Sequence, residues 1–320
     1  MAKLVVVIVS WNTCELTRNC LRSLFDDLKD VDSEVWVVDN NSSDSSVGMI
    51  KQEFPQAILI ENKKNVGFAR ANNQALRKAG GDYYLLLNPD TVIPESSIGA
   101  LLDFMSSRPE VGAAAPAQRN GDGAVINYSA RLPGLKDELR ECLRYHFFPI
   151  NRILKPLFIR GNPIRTFNQP VQADVLSAAC LIIRKEAMAK VGYLSEEYFL
   201  FSEENDYFTR MKQAGMTSYY LPNIEILHLV GKSREKRGDA DSQLNFFRSR
   251  LTYFQKFQPD KIFFFKLMYF FFFGWSLVVA ALKRTVRAGR DSDSFDAYLK
   301  LLGALRGRPK LDIDNLELDT

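Results

Sequence analysis

An α/β fold with a mostly parallel central sheet flanked by helices is what this chain predicts, and three features predict it. Short β-branched runs, LVVVIVS, EVWVVD and AILIEN, alternate with stretches whose apolar residues recur at helical spacing. That alternation requires right-handed crossovers and therefore parallel strand pairing. Polar loops follow the strands at their carboxyl ends, where open parallel sheets bind their ligands.

Taken in order, LVVVIVS is a strand covered on both faces, and TCELTRNCLRSLFDDL after it is an amphipathic helix. EVWVVDNNSSDSS is a second buried strand that ends in an acid and a polar loop. AILIEN leads into KKNVGFARANNQALRKAGG, a glycine-containing loop opening a helix that Gly80 and Gly81 are expected to close. YYLLL is the fourth strand, and Asn88-Pro89-Asp90 lies directly beyond its end. VGAAAPAQRNGDGAVIN reads as strand, loop and hairpin, whereas residues 134–170 mix proline, arginine and aromatics without periodicity and read as an irregular insertion facing an acceptor or an interface. VLSAACLIIRKEAMAKVG returns as strand plus helix, YFLFSEENDYFTRMKQAG is an acidic turn opening a helix, and SYYLPNIEILHLVGKS closes the sheet with a strand bearing His228.

A length of 320 residues allows one large α/β domain with an appendage. Forty-two Lys and Arg against 38 Asp and Glu give a net charge of +4, too mild a balance for a nucleic-acid partner. Cys14, Cys20, Cys142 and Cys180 lack CxxC spacing and form no disulfide framework, so a reducing compartment is expected. The apolar run between Lys3 and Ser10 is too short for a signal sequence and suits a first strand.

Several residues at the predicted rim have chemistry to offer, each with a plainer alternative. Asp39 can accept from a ribose hydroxyl or a base N–H, or cap the next turn. Asn65, Gly67 and Arg70 suit an anion at a helix start, or a tight turn with a solvated arginine. Glu203, Glu204 and Asp206 crowd one helical turn, where acids also simply complement the dipole; the preceding FLFS would hold one carboxyl in an apolar setting and raise its proton affinity. His228 in ILHLV is a ligand or a core histidine.

In this order, VVVIVSWN, VVDNNSSD, NVGFARANNQA, YLLLNPDT, LSAACLIIRKE and FLFSEENDYFTRMKQAG resemble the family 2 glycosyltransferases of the GT-A fold, especially their rhamnosyltransferase-like branch. The resemblance covers roughly residues 3 to 233. It implies a GT-A domain over residues 1–235, with a nucleotide-sugar half (1–115) and an acceptor half (116–235), followed by a helical, membrane-associating region (236–320). It implies inverting transfer of a sugar, rhamnose from dTDP-rhamnose first, onto a saccharide hydroxyl. By motif, Ser10, Asn12, Asp39, Asn41, Asn65, Gly67, Arg70, Asn88 and Asp90 resemble the donor-binding positions. Asp90 matches the last acid of the family's metal-binding DxD, whose first acid is here Asn88, and His228 resembles a second ligand for Mg²⁺ or Mn²⁺. Glu204 corresponds to the general base, with Glu203 the alternative, and Ser177, Ala178 and Asp206 fall on the acceptor side. A catalytically weakened nucleotide-sugar-binding protein is the competing reading. A nucleotidyltransferase would want a glycine-rich, basic loop after the first strand, which SWNTCELT lacks.

Seven phenylalanines stand among the 21 residues from 262 to 282, and four basic residues lie on either side, Arg248, Arg250, Lys256 and Lys261 before and Lys283, Arg284, Arg287 and Arg290 after. That is long enough to span a bilayer, but the balanced charge declares no orientation and suits a segment lying at the interface. The expectation is a peripheral or monotopic enzyme at the cytoplasmic face of the inner membrane, acting on a lipid-linked saccharide in cell-surface polysaccharide assembly, with homo-oligomers open.

Overall fold

The computed structural model describes residues 2–127, 131–146, 167–229, 239–286 and 292–306. The chain forms two compact units, the first comprising Met1–Leu132, Thr166–Phe199 and Glu203–Lys236, and the second Pro133–Arg165, Leu200–Ser202 and Arg237–Thr320.

The first unit begins β1 (Leu4–Ser10), α1 (Cys14–Asp27), β2 (Ser33–Asp39), α2 (Ser46–Glu53), β3 (Ile58–Glu61), α3 (Phe68–Leu76) and β4 (Tyr83–Leu87). β1 pairs in parallel with β2 and with β4, and β2 with β3. Along β1 the side chains divide by period two: Leu4, Val6 and Ile8 enter a core with α1, while Val5 and Val7 enter a second core with α3. This is the buried first strand the sequence predicts. α3 stops at Leu76, ahead of Gly80 and Gly81, which therefore follow the helix without capping it.

The chain continues through β5 (Thr91–Val92), α4 (Ser97–Ser106), β6 (Val111–Arg119) and β7 (Val125–Asn127). α5 (Leu135–His146), part of the second unit, replaces irregular structure in the first third of the predicted insertion; the remainder up to residue 166 lies outside the described residues. Its signal is the alternation of charged and apolar residues in LKDELRECLRYH, obscured by the prolines and aromatics further on. β8 (Val171–Gln172), β9 (Cys180–Arg184), α6 (Lys185–Val191), α7 (Glu203–Gln213) and β10 (Thr217–His228) complete the first unit.

The strand order is β3-β2-β1-β4-β9-β6-β10-β5, with β7 on β6 and β8 on β10. β9 runs antiparallel to β4 and β6, whereas β10 is parallel to β6. β10 does not end the sheet as expected, because β5 pairs beyond it. Alanine-rich β6 lets α7 approach closely: a Cβ on Gly112 would stand 2.8 Å from Met211 Cε. The register of β10 shifts between Leu221 and Glu225, around Pro222, which has no N–H for a ladder bond. Beyond that bulge the strand sets His228 opposite Thr91, one residue after Asp90.

The second unit contains α5, α8 (Asp239–Phe257), a single 3₁₀ turn (Pro259–Lys261), α9 (Ile262–Val286) and α10 (Ser292–Arg306).

Candidate active site

The carboxyl rim of the parallel strands is locked by short polar bonds. Ser10, opposite Asp39 in the ladder, is fully buried, and its hydroxyl lies 3.1 Å from both Thr13 and Thr17. It ties β1 to α1 rather than presenting a free hydroxyl. Asn12, at φ 55°, accepts from the Ser43 N–H at 2.7 Å, and its own N–H donates to Ser42 Oγ at 2.9 Å. The Asp39 carboxylate accepts from the Ser42 N–H at 2.8 Å and from the Ser42 hydroxyl at 2.5 Å, bonds that hold both of its oxygens. Asn41 stands exposed beside it at φ 66°.

Asn40 links this turn to the next loop. Its Oδ1 accepts from Asn62 Nδ2 at 2.9 Å, and its Nδ2 donates to the Gly67 carbonyl at 3.3 Å. The sequence places Asn40 in a rim loop but gives it no role, because Asp39 and Asn41 on either side draw the functional reading. Asn65 Oδ1 accepts the Gly67 N–H at 3.0 Å, while its Nδ2 is a buried donor with no hydrogen-bond partner among the described residues. Gly67 sits at φ 84°, where an added Cβ would lie 2.5 Å from the Phe199 carbonyl oxygen. That close approach lets the Phe68 N–H donate to the same oxygen at 2.8 Å. Arg70 Nε lies 3.7 Å from Glu196, an ion pair without a hydrogen bond, and Arg77 holds the same carboxylate at 2.6 Å. Burial pushes the Glu196 carboxyl up, but the hydrogen bonds from Asn73 and Arg77 outweigh it and leave the group below the usual range.

Asn88, Pro89 and Asp90 turn sharply out of β4. The Asn88 N–H donates to the Ala179 carbonyl at 2.9 Å, and the Thr91 hydroxyl donates to the Asn88 carbonyl at 2.7 Å. Asp90 is buried, and its Oδ1 lies 3.2 Å from His228 Nε2. The Leu229 N–H fixes the same corner by donating to the Asp90 carbonyl at 2.9 Å. On its other nitrogen, His228 Nδ1 is 2.9 Å from Oε1 of buried Gln118. An amide oxygen there requires Nδ1 to carry a proton, which leaves Nε2 facing a carboxylate oxygen. A cation held by both atoms would suit such a pair. Gln118, the polar residue near the end of the apolar strand VGAAAPAQR, escapes the sequence reading. Its signal is a polar side chain at an inward position of a small-residue strand.

Among the described residues no group of three His, Cys, Asp or Glu side chains converges. Asp90 and His228 therefore offer one oxygen and one nitrogen, a set that fits Mg²⁺ or Mn²⁺ when phosphate oxygens supply further ligands.

The acidic turn follows two residues with left-handed backbone, Phe201 at φ 69° and Ser202 at φ 64°. Glu203 opens α7 buried, with Oε2 lacking a hydrogen-bond partner among the described residues; burial, then the neighbouring Glu204 charge, pushes its carboxyl well above the usual range. Glu204 is half-buried. Asp206, expected on the acceptor side, is fully buried: Oδ1 pairs with Arg210 Nε at 2.6 Å, and Oδ2 accepts from the Tyr198 hydroxyl at 3.2 Å. It orders the start of the helix. Ser177 is half-buried with its hydroxyl accepting the Ala179 N–H at 3.3 Å, and Ala178 is buried.

The family model for "Glycosyl transferase family 2" matches residues 5–192, more than half of the chain. An N-acetylglucosaminyl-diphospho-decaprenol L-rhamnosyltransferase of Mycobacterium tuberculosis (strain ATCC 25618 / H37Rv) is 30% identical over 205 residues, which cover 61% of this chain and 66% of that protein. The chain thus spans just under two thirds of that relative. A dTDP-rhamnosyl transferase, RfbF of Shigella flexneri, is 23% identical over 233 residues, covering 72% of this chain and 70% of that protein. Among solved structures, the mannosyltransferase PcManGT from Pyrobaculum calidifontis, in complex with GDP-Man and Mn²⁺, superposes with a TM-score of 0.54 at 16% identity, covering 95% of this chain and 84% of its own.

Proposed function

The chain belongs to glycosyltransferase family 2, and from that premise we propose that it transfers a sugar, rhamnose from dTDP-rhamnose first, from a nucleoside diphosphate to a hydroxyl of a lipid-linked saccharide. Transfer proceeds with inversion, at the cytoplasmic face of a membrane. The observation that carries this reading is the 3.2 Å approach of Asp90 to His228 beyond the carboxyl end of β4. Parallel-sheet proteins bind ligands at that rim, and a mixed oxygen and nitrogen pair there suits a diphosphate-bound cation. The relatives named for rhamnosyl transfer support the choice of sugar, and the decaprenyl-linked acceptor in one of their names supports the choice of acceptor.

Residues 1–115 serve the donor in this proposal. Asn12, Asp39 and Asn41 shape the edge that meets the base and ribose, and buried Asn65 has an amide hydrogen left to give to a ligand oxygen. Asp90 and His228 would hold Mg²⁺ or Mn²⁺, which when bound takes up charge from the departing diphosphate. Residues 116–235 serve the acceptor, with Ser177 and Ala178 at its approach.

Glu203 and Glu204 act as one unit. Burial favours the protonated form of Glu203, and half-buried Glu204 meets the acceptor hydroxyl as the base. Glu204 removes the hydroxyl proton as the oxygen attacks the anomeric carbon in line with the departing diphosphate. Neutral Glu203 limits repulsion beneath it.

A panel of nucleotide sugars assayed for hydrolysis and for transfer, with Mg²⁺ or Mn²⁺, tests the assignment. Asp90→Ala should lose at least about a hundredfold in both reactions, and Glu204→Gln a similar factor in transfer while still binding donor. Full transfer by either variant would refute the assigned site. Donor binding without turnover by the wild type would favour a nucleotide-sugar-binding protein instead.

A further inference from the structure

The apolar run at 262–282 is long enough to cross a bilayer, yet within the second unit it has two distinct faces. One face is internal. Phe265, Tyr269 and Phe273 surround Phe247 of α8, with ring centroids 6.0, 4.8 and 5.0 Å from it, and Phe265 also lies 4.5 Å from Phe254. The Tyr269 hydroxyl donates to Glu138 Oε2 of α5 at 2.7 Å, and Arg250 Nε of α8 lies 2.9 Å from Glu138 Oε1. Glu138 is buried, so this face of α9 is fastened to a largely buried ion pair.

The other face is exposed and apolar. Phe263, Phe264, Leu267, Phe270, Phe271 and Val278 are exposed, Phe263 by 66% and Phe271 by 64%. At about 100° per residue these six fall within an arc of roughly 120°, and at about 1.5 Å per residue they extend for roughly 22 Å. No charged residue interrupts that arc. Lys266 lies at its border, Lys261 precedes the helix, and Lys283, Arg284, Arg287 and Arg290 follow in the sequence. An aromatic stripe with basic residues before and after it in the sequence has the chemistry of a lipid headgroup boundary.

We infer that α9 lies in the plane of a single leaflet of an anionic membrane, burying this stripe while its opposite face stays packed on α5 and α8. This rests on the membrane-associated reading proposed above and adds the mode of attachment. A spanning orientation would carry along α8, with Arg248 and Arg250, into hydrocarbon, or would strip Glu138 and Arg250 of their packing. An in-plane helix requires neither, and Lys266 can extend its ammonium to the headgroups.

The test uses the full chain and vesicles of phosphatidylglycerol and phosphatidylethanolamine. Phe264→Cys and Val278→Cys, each in a Cys14→Ser background, carry an environment-sensitive fluorophore at sites roughly 21 Å apart along the helix. Doxyl-labelled lipids quenching both sites equally and from a shallow depth is the expected result. Depths that differ by most of a leaflet would overturn the in-plane mode while leaving membrane attachment standing. No binding of wild type to these vesicles would overturn both. The combined variant Phe263→Ser, Phe264→Ser, Phe270→Ser and Phe271→Ser, which alters exposed positions, should keep the wild-type melting temperature and lose at least about a hundredfold in vesicle affinity. Affinity within about twofold of wild type would overturn the assignment of the stripe. A stable dimer of wild type that excludes vesicles, and that the same variant dissolves, would assign the stripe to a second copy and likewise overturn the proposal.

Discussion

Replacing Gly67 by alanine should destabilise the protein by several kilocalories per mole and weaken its donor loop together. The backbone there, φ 84° and ψ 172°, is a region that only glycine enters freely, and an L side chain costs about 1–3 kcal/mol in it. The new Cβ would also sit 2.5 Å from the Phe199 carbonyl oxygen and 2.9 Å from its ring, so the two segments must part. Parting them stretches the 2.8 Å bond from the Phe68 N–H to Phe199, worth about 1 kcal/mol. Together these come to about 2–4 kcal/mol, or a fall in melting temperature of roughly 5–15 °C for a unit of this size. Gly48 supplies the control. It lies exposed in α2, where an added Cβ would meet nothing within 4 Å, so Gly48→Ala should gain about 0.5–1 kcal/mol. Urea unfolding and thermal melts of the two variants measure the contrast, and isothermal titration of dTDP reports on the loop. A Gly67→Ala protein within about 0.5 kcal/mol of wild type, with unchanged nucleotide affinity, would refute the argument that close approach fixes this residue.

Two further outcomes follow from the site. Gln118→Leu removes the acceptor at His228 Nδ1, and Mn²⁺ affinity in the presence of dTDP, read by electron paramagnetic resonance, should fall about 10–100-fold while the melting temperature changes little; unchanged affinity would show that Gln118 does not orient the histidine. Glu203, whose carboxyl is raised by burial and then by Glu204, favours folding while it is protonated, a contribution present below the ordinary glutamate value and lost as pH rises through the folded-state value. Melting temperature should therefore decline with rising pH more steeply in wild type than in Glu203→Gln, and identical slopes would refute the buried-carboxyl account.

The elements legible in the sequence are those with strong periodicity. LVVVIVS, VWVV and YYLLL can only be buried strands, and polar residues directly after them place the rim without coordinates. Asp90 and His228, 138 positions apart in the chain, are marked by motif alone, and they stand 3.2 Å apart. What escapes is long-range polar pairing. Nothing local marks Asn40 as the bond between two loops or Glu196 as the partner of Arg70. Each is an ordinary polar residue until the fold brings its partner within reach.

The layering, the strand ends and the residue types gathered at them are thus set in the sequence, because side-chain period and turn chemistry act over a few residues. Tertiary structure decides which polar groups remain available for chemistry. Ser10 and Asp206 are held by internal hydrogen bonds, the Asn65 amide nitrogen has no partner among the described residues, and Glu203 rather than Glu204 is the buried acid. It also divides a helix that reads as uniformly apolar into a packed face and an exposed one. Burial and hydrogen bonding between distant segments set these outcomes, and both depend on neighbours that the order of residues does not name.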